Sequence, residues 1–288
     1  MSEHAADPTP DSPPDSAPGS AAGADAPSDG AQASSSAAPR SWLADLHLAL
    51  SFMTRLPLPS PTGLPPGSLA RAMGMFPLVG VVVGLIGALV YGAANALLPS
   101  SLAALLAVAA IVRATGCLHE DGLADVADGF GGGWEKARKL EIMKDSRIGS
   151  YGVVALVLAL AVRVETLSAL GGSWRVAGAL LAAHALSRAA IPAVMQFLDP
   201  ARPNGLGAAA GQPDRHTAWI AAGLGAGIAA VTLPLSTAFA ATVAAALTMK
   251  LMVRLARRHL GGHTGDVLGA TQQAVEIAAL LTITALWR

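Results

Sequence analysis

Apolar runs long enough to cross a lipid bilayer recur through most of this chain, and no other property restricts its fold as strongly. A transmembrane helix needs roughly 20 consecutive, mainly apolar residues. Such runs fall at about 74–98, 101–118, 153–170, 176–198, 217–234, 237–254 and 271–287. Backbone in hydrocarbon has to satisfy its own hydrogen bonds, so each run reads as a helix. A shorter run from Trp42 to Phe52, closed by Leu-Pro-Leu-Pro at 56–59, reads as an interfacial or re-entrant helix. The expected fold class is therefore all-α: a polytopic integral membrane helical bundle of about seven transmembrane helices plus that short N-terminal helix.

Composition supports this. Hydrophobic residues make up 53% of the chain and charged residues 13%, against roughly a quarter charged in soluble domains. Aromatic residues are only 4%, so the apolar mass is Ala, Leu, Val and Gly, which suits close helix packing in lipid. The formal net charge is zero, which argues against nucleic acid as a partner. Cys117 is the single cysteine. It excludes an intrachain disulfide and a cysteine metal cluster, and within its apolar run it reads as a small packing residue. Residues 1–40, rich in Ala, Pro, Ser, Asp and Gly, lack apolar periodicity and a signal-peptide pattern. They read as a disordered tail, leaving 41–288 as the membrane-embedded domain.

Basic residues give a sidedness. Arg55 and Arg71 precede the first span, and Lys136, Arg138, Lys139, Lys144 and Arg147 lie between the second and third. Arg202 and Arg215 lie between the fourth and fifth, and Arg257 and Arg258 follow the sixth. The other side carries only Arg175 and Arg288. The positive-inside rule makes the basic side cytoplasmic.

Carboxylates concentrate on that side. In the segment His119–Gly129, Asp121, Asp125 and Asp128 are spaced i, i+4 and i+7, which puts them on one helix face within an arc of about 60°. Three like charges on one face repel unless a cation lies between them, and hard oxygen ligands favour Mg²⁺ or Mn²⁺. Glu120 points off this face and is left out of the site. After Gly131–Gly133, residues 135–151 read as a short amphipathic helix and loop carrying Arg138, Glu141, Lys144, Asp145 and Arg147. This is the mixture of carboxylates and cations that phosphoryl transfer requires, and it is also the pattern of a salt-bridged surface helix. Gly261–Ala270 is rich in small residues, with Gly262, Thr264 and Gly265 placed to form an anion-binding nest before the last span; Asp266 is its one carboxylate. Pro203–Gly207 is a weaker case of the same kind. Inside the spans, His184 and Arg188 share a face and serve either to hold phosphate or to pair with carboxylates, while Arg163 reads as a snorkelling side chain.

The segments 52–57, 76–80, 119–129, 140–152, Ser187-Arg188 and 261–270, in that order, resemble the cobalamin synthase (adenosylcobinamide-GDP ribazoletransferase) family from about residue 42 to the end. The resemblance implies a Mg²⁺-dependent enzyme of the bacterial inner membrane, with its active site on the cytoplasmic face. A hydroxyl of α-ribazole, or of its 5′-phosphate, would attack the cobinamide-linked phosphate of adenosylcobinamide-GDP and GMP would leave. Carried onto this sequence, Asp121, Asp125 and Asp128 become metal ligands. Asp266 completes the metal shell or orients the hydroxyl, and Asp145 is the other candidate base. Arg55, Arg138, Arg147 and Arg188 hold the diphosphate or the developing charge. Membrane lipid is an expected partner, and association with other late cobalamin-pathway enzymes is a further expectation. The aspartates also resemble the Asp-x-x-Asp-Gly core of CDP-alcohol phosphotransferases, without the rest of that motif. A prenyltransferase would need a second aspartate loop downstream of residue 145, and a transporter would place its carboxylates near the bilayer midplane.

Overall fold

The computed structural model describes residues 41–287, which form one compact unit; the tail expected at 1–40 lies outside the described residues. The described chain is all helical. In order come α1 (Trp42–Met53), α2 (Ser68–Ala72), α3 (Phe76–Asn95), α4 (Ser100–Thr115), α5 (Leu118–Gly132), α6 (Lys136–Ile142) and α7 (Ser150–Leu170). They are followed by α8 (Ser173–Phe197), α9 (Leu206–Ala209), α10 (Arg215–Thr232), α11 (Leu235–Leu260) and α12 (Gly265–Trp287). A 3₁₀ turn joins α2 to α3.

Five described helices are long and apolar enough to cross a membrane, and α4 with α5 makes a sixth if that bent pair is one span. The polytopic architecture stands. The run at 217–234 folds as α10, which lies along α8 from Pro213 beside Gln196 to Thr232 beside Gly178; its first turn holds Arg215 and His216 and small residues dilute the rest, so it falls outside those five by composition. The run at 101–118 stops at Thr115, and the next helix departs at 91°. Gly116 and Cys117 both adopt left-handed backbone, with φ of 65° and 60°, and two such residues in succession end an α-helix. Cys117 is thus an exposed corner residue, not the packing residue that its apolar neighbours suggest.

Helix α8 is the axis of the bundle, 89% buried over its most apolar window. Helix α3 runs antiparallel to it at backbone distance, and a β-carbon at Gly84 would stand 2.9 Å from the Leu180 carbonyl oxygen. Close approach of this kind replaces the hydrophobic drive that lipid withholds. Trp174 at the start of α8 meets Trp287 at the end of α12 edge-on, with centroids 4.8 Å apart. At the other end of α8, the Phe197 carbonyl accepts from Arg257 of α11 at 2.8 Å.

Inside the bundle, a polar network ties α5, α7, α8 and α12. Arg163 is not a snorkelling side chain: it is 1% exposed, donates to Glu120 at 2.9 Å and pairs with Glu276 at 2.9 Å. His184 lies 3.0 Å from Glu276 and 3.0 Å from Arg188. Gln272 donates to Glu276 at 2.7 Å, and Gln273 donates to Glu120 at 3.2 Å. The two arginines balance the two glutamates, as burial in a low-dielectric interior demands.

Two outcomes follow. Glu276→Ala leaves Arg163 without an anion on α12 and should cost roughly 3–5 kcal/mol, read as loss of folded protein in reversible detergent unfolding. Cys117→Gly removes a β-carbon from a conformation that penalises non-glycine residues by about 1–2 kcal/mol. Its thermal midpoint should rise, whereas that of Cys117→Val should fall.

Candidate active site

Helix α5 carries the acidic motif and is set in place from both sides. Gly122 packs on the Asp266 backbone of α12, where a β-carbon would stand 2.7 Å from the Asp266 carbonyl oxygen. On its other side, Glu120 reaches Arg163 of α7. With these contacts made, Asp121 is exposed and Asp125 half-buried on the open face.

Asp128 is divided from them. Its carboxylate accepts from Gly149 N at 2.7 Å and Gly152 N at 2.9 Å, and it is 8% exposed. It caps the N-terminus of α7, adding a negative charge where that helix has unpaired N–H groups. Side chains at positions 149 and 152 would collide with it, which accounts for the two glycines of the Ile-Gly-Ser-Tyr-Gly stretch. Of the three aspartates expected as metal ligands on one helix face, Asp128 is engaged by the α7 backbone, while Asp121 and Asp125 stay open.

The third carboxylate near Asp121 and Asp125 comes from α12. Asp125 is coupled electrostatically to Asp121, Asp266 and Asp128, with Arg202 as the opposing cation. Asp266 accepts from Thr264 Oγ1 at 3.1 Å and stands 3.5 Å from Arg202. Among the described residues no three acidic, His or Cys side chains stand at metal-holding distance. The donor set of Asp121, Asp125 and Asp266 is nonetheless all hard oxygen, with an excess of negative charge over the single Arg202, and fits a hard divalent cation.

A cleft of about 520 Å³ opens beside Asp121 and Asp125, between α5, α7 and the 143–148 loop. Lys144, Asp145 and Arg147 line its loop side and Leu156 and Leu160 its α7 side. Arg147 holds Asp145 through Nη2 at 2.7 Å and its backbone N–H at 3.0 Å. These bonds pull the Asp145 carboxyl down to about 2. A group ionised that firmly is a weak proton acceptor at neutral pH. On the adjacent face of α5 lies a smaller cavity of about 110 Å³, bounded by Phe52, Phe76, His119, Asp121 and Asp266. Asp121 borders both.

The other expected residues separate. Arg55 is exposed, donates its N–H to the Ala114 carbonyl at 2.7 Å and lays its stem across Gly116 beside the cleft. Arg138 pairs with Glu141 at 2.8 Å on the outer surface of α6 and lines neither cavity. Arg188 is 1% exposed and turned to His184, so it belongs to the interior network. His184 pairs with the Glu276 carboxylate, and Arg188 reaches that network through His184. The loop before α12 is stapled rather than free: His263 N donates to the Asp199 carbonyl at 2.9 Å, and Ala201 N donates to the His263 carbonyl at 2.8 Å. Gly262 packs against that strand-like segment, and Thr264 Oγ1 accepts from Val267 N at 3.2 Å as a helix cap. Only Gly265 of that trio borders a cavity. Burial pushes the His263 imidazole below its ordinary range, which keeps it neutral.

Two site residues carried no assigned role in the sequence. Arg202 counted only as a sidedness charge, although its Gly-rich surroundings at 203–207 mark a turn that returns it to Asp266. His119 opens the acidic motif, and nothing in its spacing announces that it faces a cavity.

The family model for cobalamin-5-phosphate synthase matches residues 45–284. Among curated relatives, the adenosylcobinamide-GDP ribazoletransferase of Bradyrhizobium diazoefficiens is 47% identical over 247 residues, covering 85% of this chain and 95% of the relative. That of Mesorhizobium japonicum is 49% identical over 245 residues, covering 85% and 94%. That of Azorhizobium caulinodans is 48% identical over 251 residues, covering 84% and 95%. No solved structure matches.

The capping geometry separates Asp128 from its neighbours experimentally. Asp128→Ala should lower stability by about 0.5–2 kcal/mol and leave Mg²⁺ affinity within twofold of wild type, measured by thermal unfolding and calorimetry. A parallel collapse of metal affinity would return Asp128 to the metal set.

Proposed function

The chain belongs to the cobalamin-5-phosphate synthase family, and on that premise we propose that it joins adenosylcobinamide-GDP to α-ribazole or its 5′-phosphate. An acceptor hydroxyl oxygen attacks the cobinamide-linked phosphorus, the bond to the bridging oxygen breaks, and GMP leaves. The observation that carries this reading is the convergence of Asp121 and Asp125 from α5 with Asp266 from α12, beside a cleft rimmed by Lys144 and Arg147.

Asp121, Asp125 and Asp266 would hold Mg²⁺, which when bound neutralises charge on the diphosphate. Lys144 and Arg147 face the cleft as cations for the diphosphate and the departing GMP, with charge stabilisation as their contribution. Arg202 holds Asp266 in place at 3.5 Å, where it orients the acceptor hydroxyl beside Asp121. Leu156 and Leu160 of α7 give the cleft an apolar flank toward lipid, a route by which a bulky amphipathic donor enters. The abundance of basic residues at this end supports a cytoplasmic active site in the bacterial inner membrane.

The test is GMP release by purified, lipid-supplemented protein, with each substrate omitted in turn and with Mg²⁺ or EDTA. Release should require both the acceptor and the metal, and Asp121→Asn should lower kcat at least about a hundredfold. Release insensitive to EDTA would remove the metal from the scheme. Absence of release from folded protein would remove the transferase.

A further inference from the structure

The family and the cleft say nothing about where the acceptor's base lies, and the small cavity on the adjacent face of α5 has the properties such a site needs. Its walls include Phe52, Met73, Phe76, Ile191 and Leu268, and no lysine or arginine lines it. The rings of Phe52 and Phe76 are parallel to within 7°, with centroids 6.4 Å apart, and give the cavity an aromatic side. His119, 3% exposed, closes the lining toward the interior network. The cavity, about 110 Å³, is smaller than the roughly 150 Å³ apolar cavity that accepts a benzene ring. It therefore takes the edge of a flat ring system, with the remainder at the mouth. Asp121 and Asp266 stand at its polar side, and Asp121 also borders the cleft that carries Lys144 and Arg147.

We propose that this cavity is the acceptor subsite: it binds the uncharged heteroaromatic base of the ribazole nucleoside edge-on beside Phe52 and Phe76. The two substrates then approach Asp121 from adjacent faces of α5. The charged diphosphate lies in the basic cleft and the apolar base in the aromatic slot, which brings the ribose hydroxyls to Asp121 and Asp266 between them. This rests on the transferase reading.

Steady-state GMP release by the full chain, with adenosylcobinamide-GDP and α-ribazole varied independently, tests the assignment alongside calorimetric titration with α-ribazole alone. Ala210→Leu narrows the cavity from its α9 side and Ile191→Phe from α8. Each should raise the α-ribazole KM and calorimetric Kd about tenfold or more, with the donor KM within twofold of wild type. An unchanged acceptor KM in both space-filling variants, or a rise in donor KM instead, would overturn the subsite. The calorimetric arm keeps the two readings apart. Wild-type binding of α-ribazole that the filling variants abolish supports the subsite even if no GMP is released, whereas wild-type turnover with unaltered acceptor binding in the variants sinks the subsite and leaves the transferase standing.

Discussion

Two arginines and two glutamates buried in a membrane bundle have no solvent to turn to, and the arrangement of the four helices that carry them follows from that. Arg163 on α7 bridges Glu120 on α5 and Glu276 on α12, and His184 and Arg188 bring α8 into the same group. Association of helices in lipid lacks the hydrophobic drive available in water. Contacts that satisfy charge therefore select one arrangement among many equally apolar ones. The requirement is one of register: a rotation of α5 that freed Glu120 would strand Arg163 and also swing Asp121 away from Asp266.

The catalytic end of the bundle inherits its geometry from this anchor and from one broken helix. The consecutive left-handed residues Gly116 and Cys117 turn α5 through 91° from α4, so the acidic helix passes between α7 and α12. Gly122 then allows α5 to rest directly on the backbone at Asp266. Carboxylates from two helices become neighbours without any covalent or metal constraint in the chain itself. The resulting negative charge exceeds what Arg202 balances, which is the condition that a divalent cation and a phosphate ester together relieve.

Adjacent residues of the acidic motif divide between structure and chemistry by the direction in which each points. Glu120 faces inward and Asp121 outward, since neighbours on a helix are about 100° apart. Asp128 shares a face with Asp121 by periodicity, yet the N-terminus of α7 arrives there and takes both carboxylate oxygens. Charged side chains at the end of the bundle divide in the same way. Arg147 and Lys144 line the cleft, while Arg138 is held on the outer surface by Glu141.

Membrane residence, helical class, the crowding of basic residues between particular spans and the importance of His119–Gly129 and Gly261–Ala270 are legible in the residues themselves. Each depends on local composition or on spacing along a single helix, and helical periodicity is a property of one segment. The bend between α4 and α5 was less legible, because a helix break at Gly116–Cys117 interrupts an apolar run without a proline to announce it. Beyond reach of the sequence were the capping of α7 by Asp128, the return of Arg202 to Asp266, and the burial of Arg163 between Glu120 and Glu276. It was equally silent on the cavity before His119. These depend on which helix faces which, a relation between separate segments that only the packing of the bundle decides.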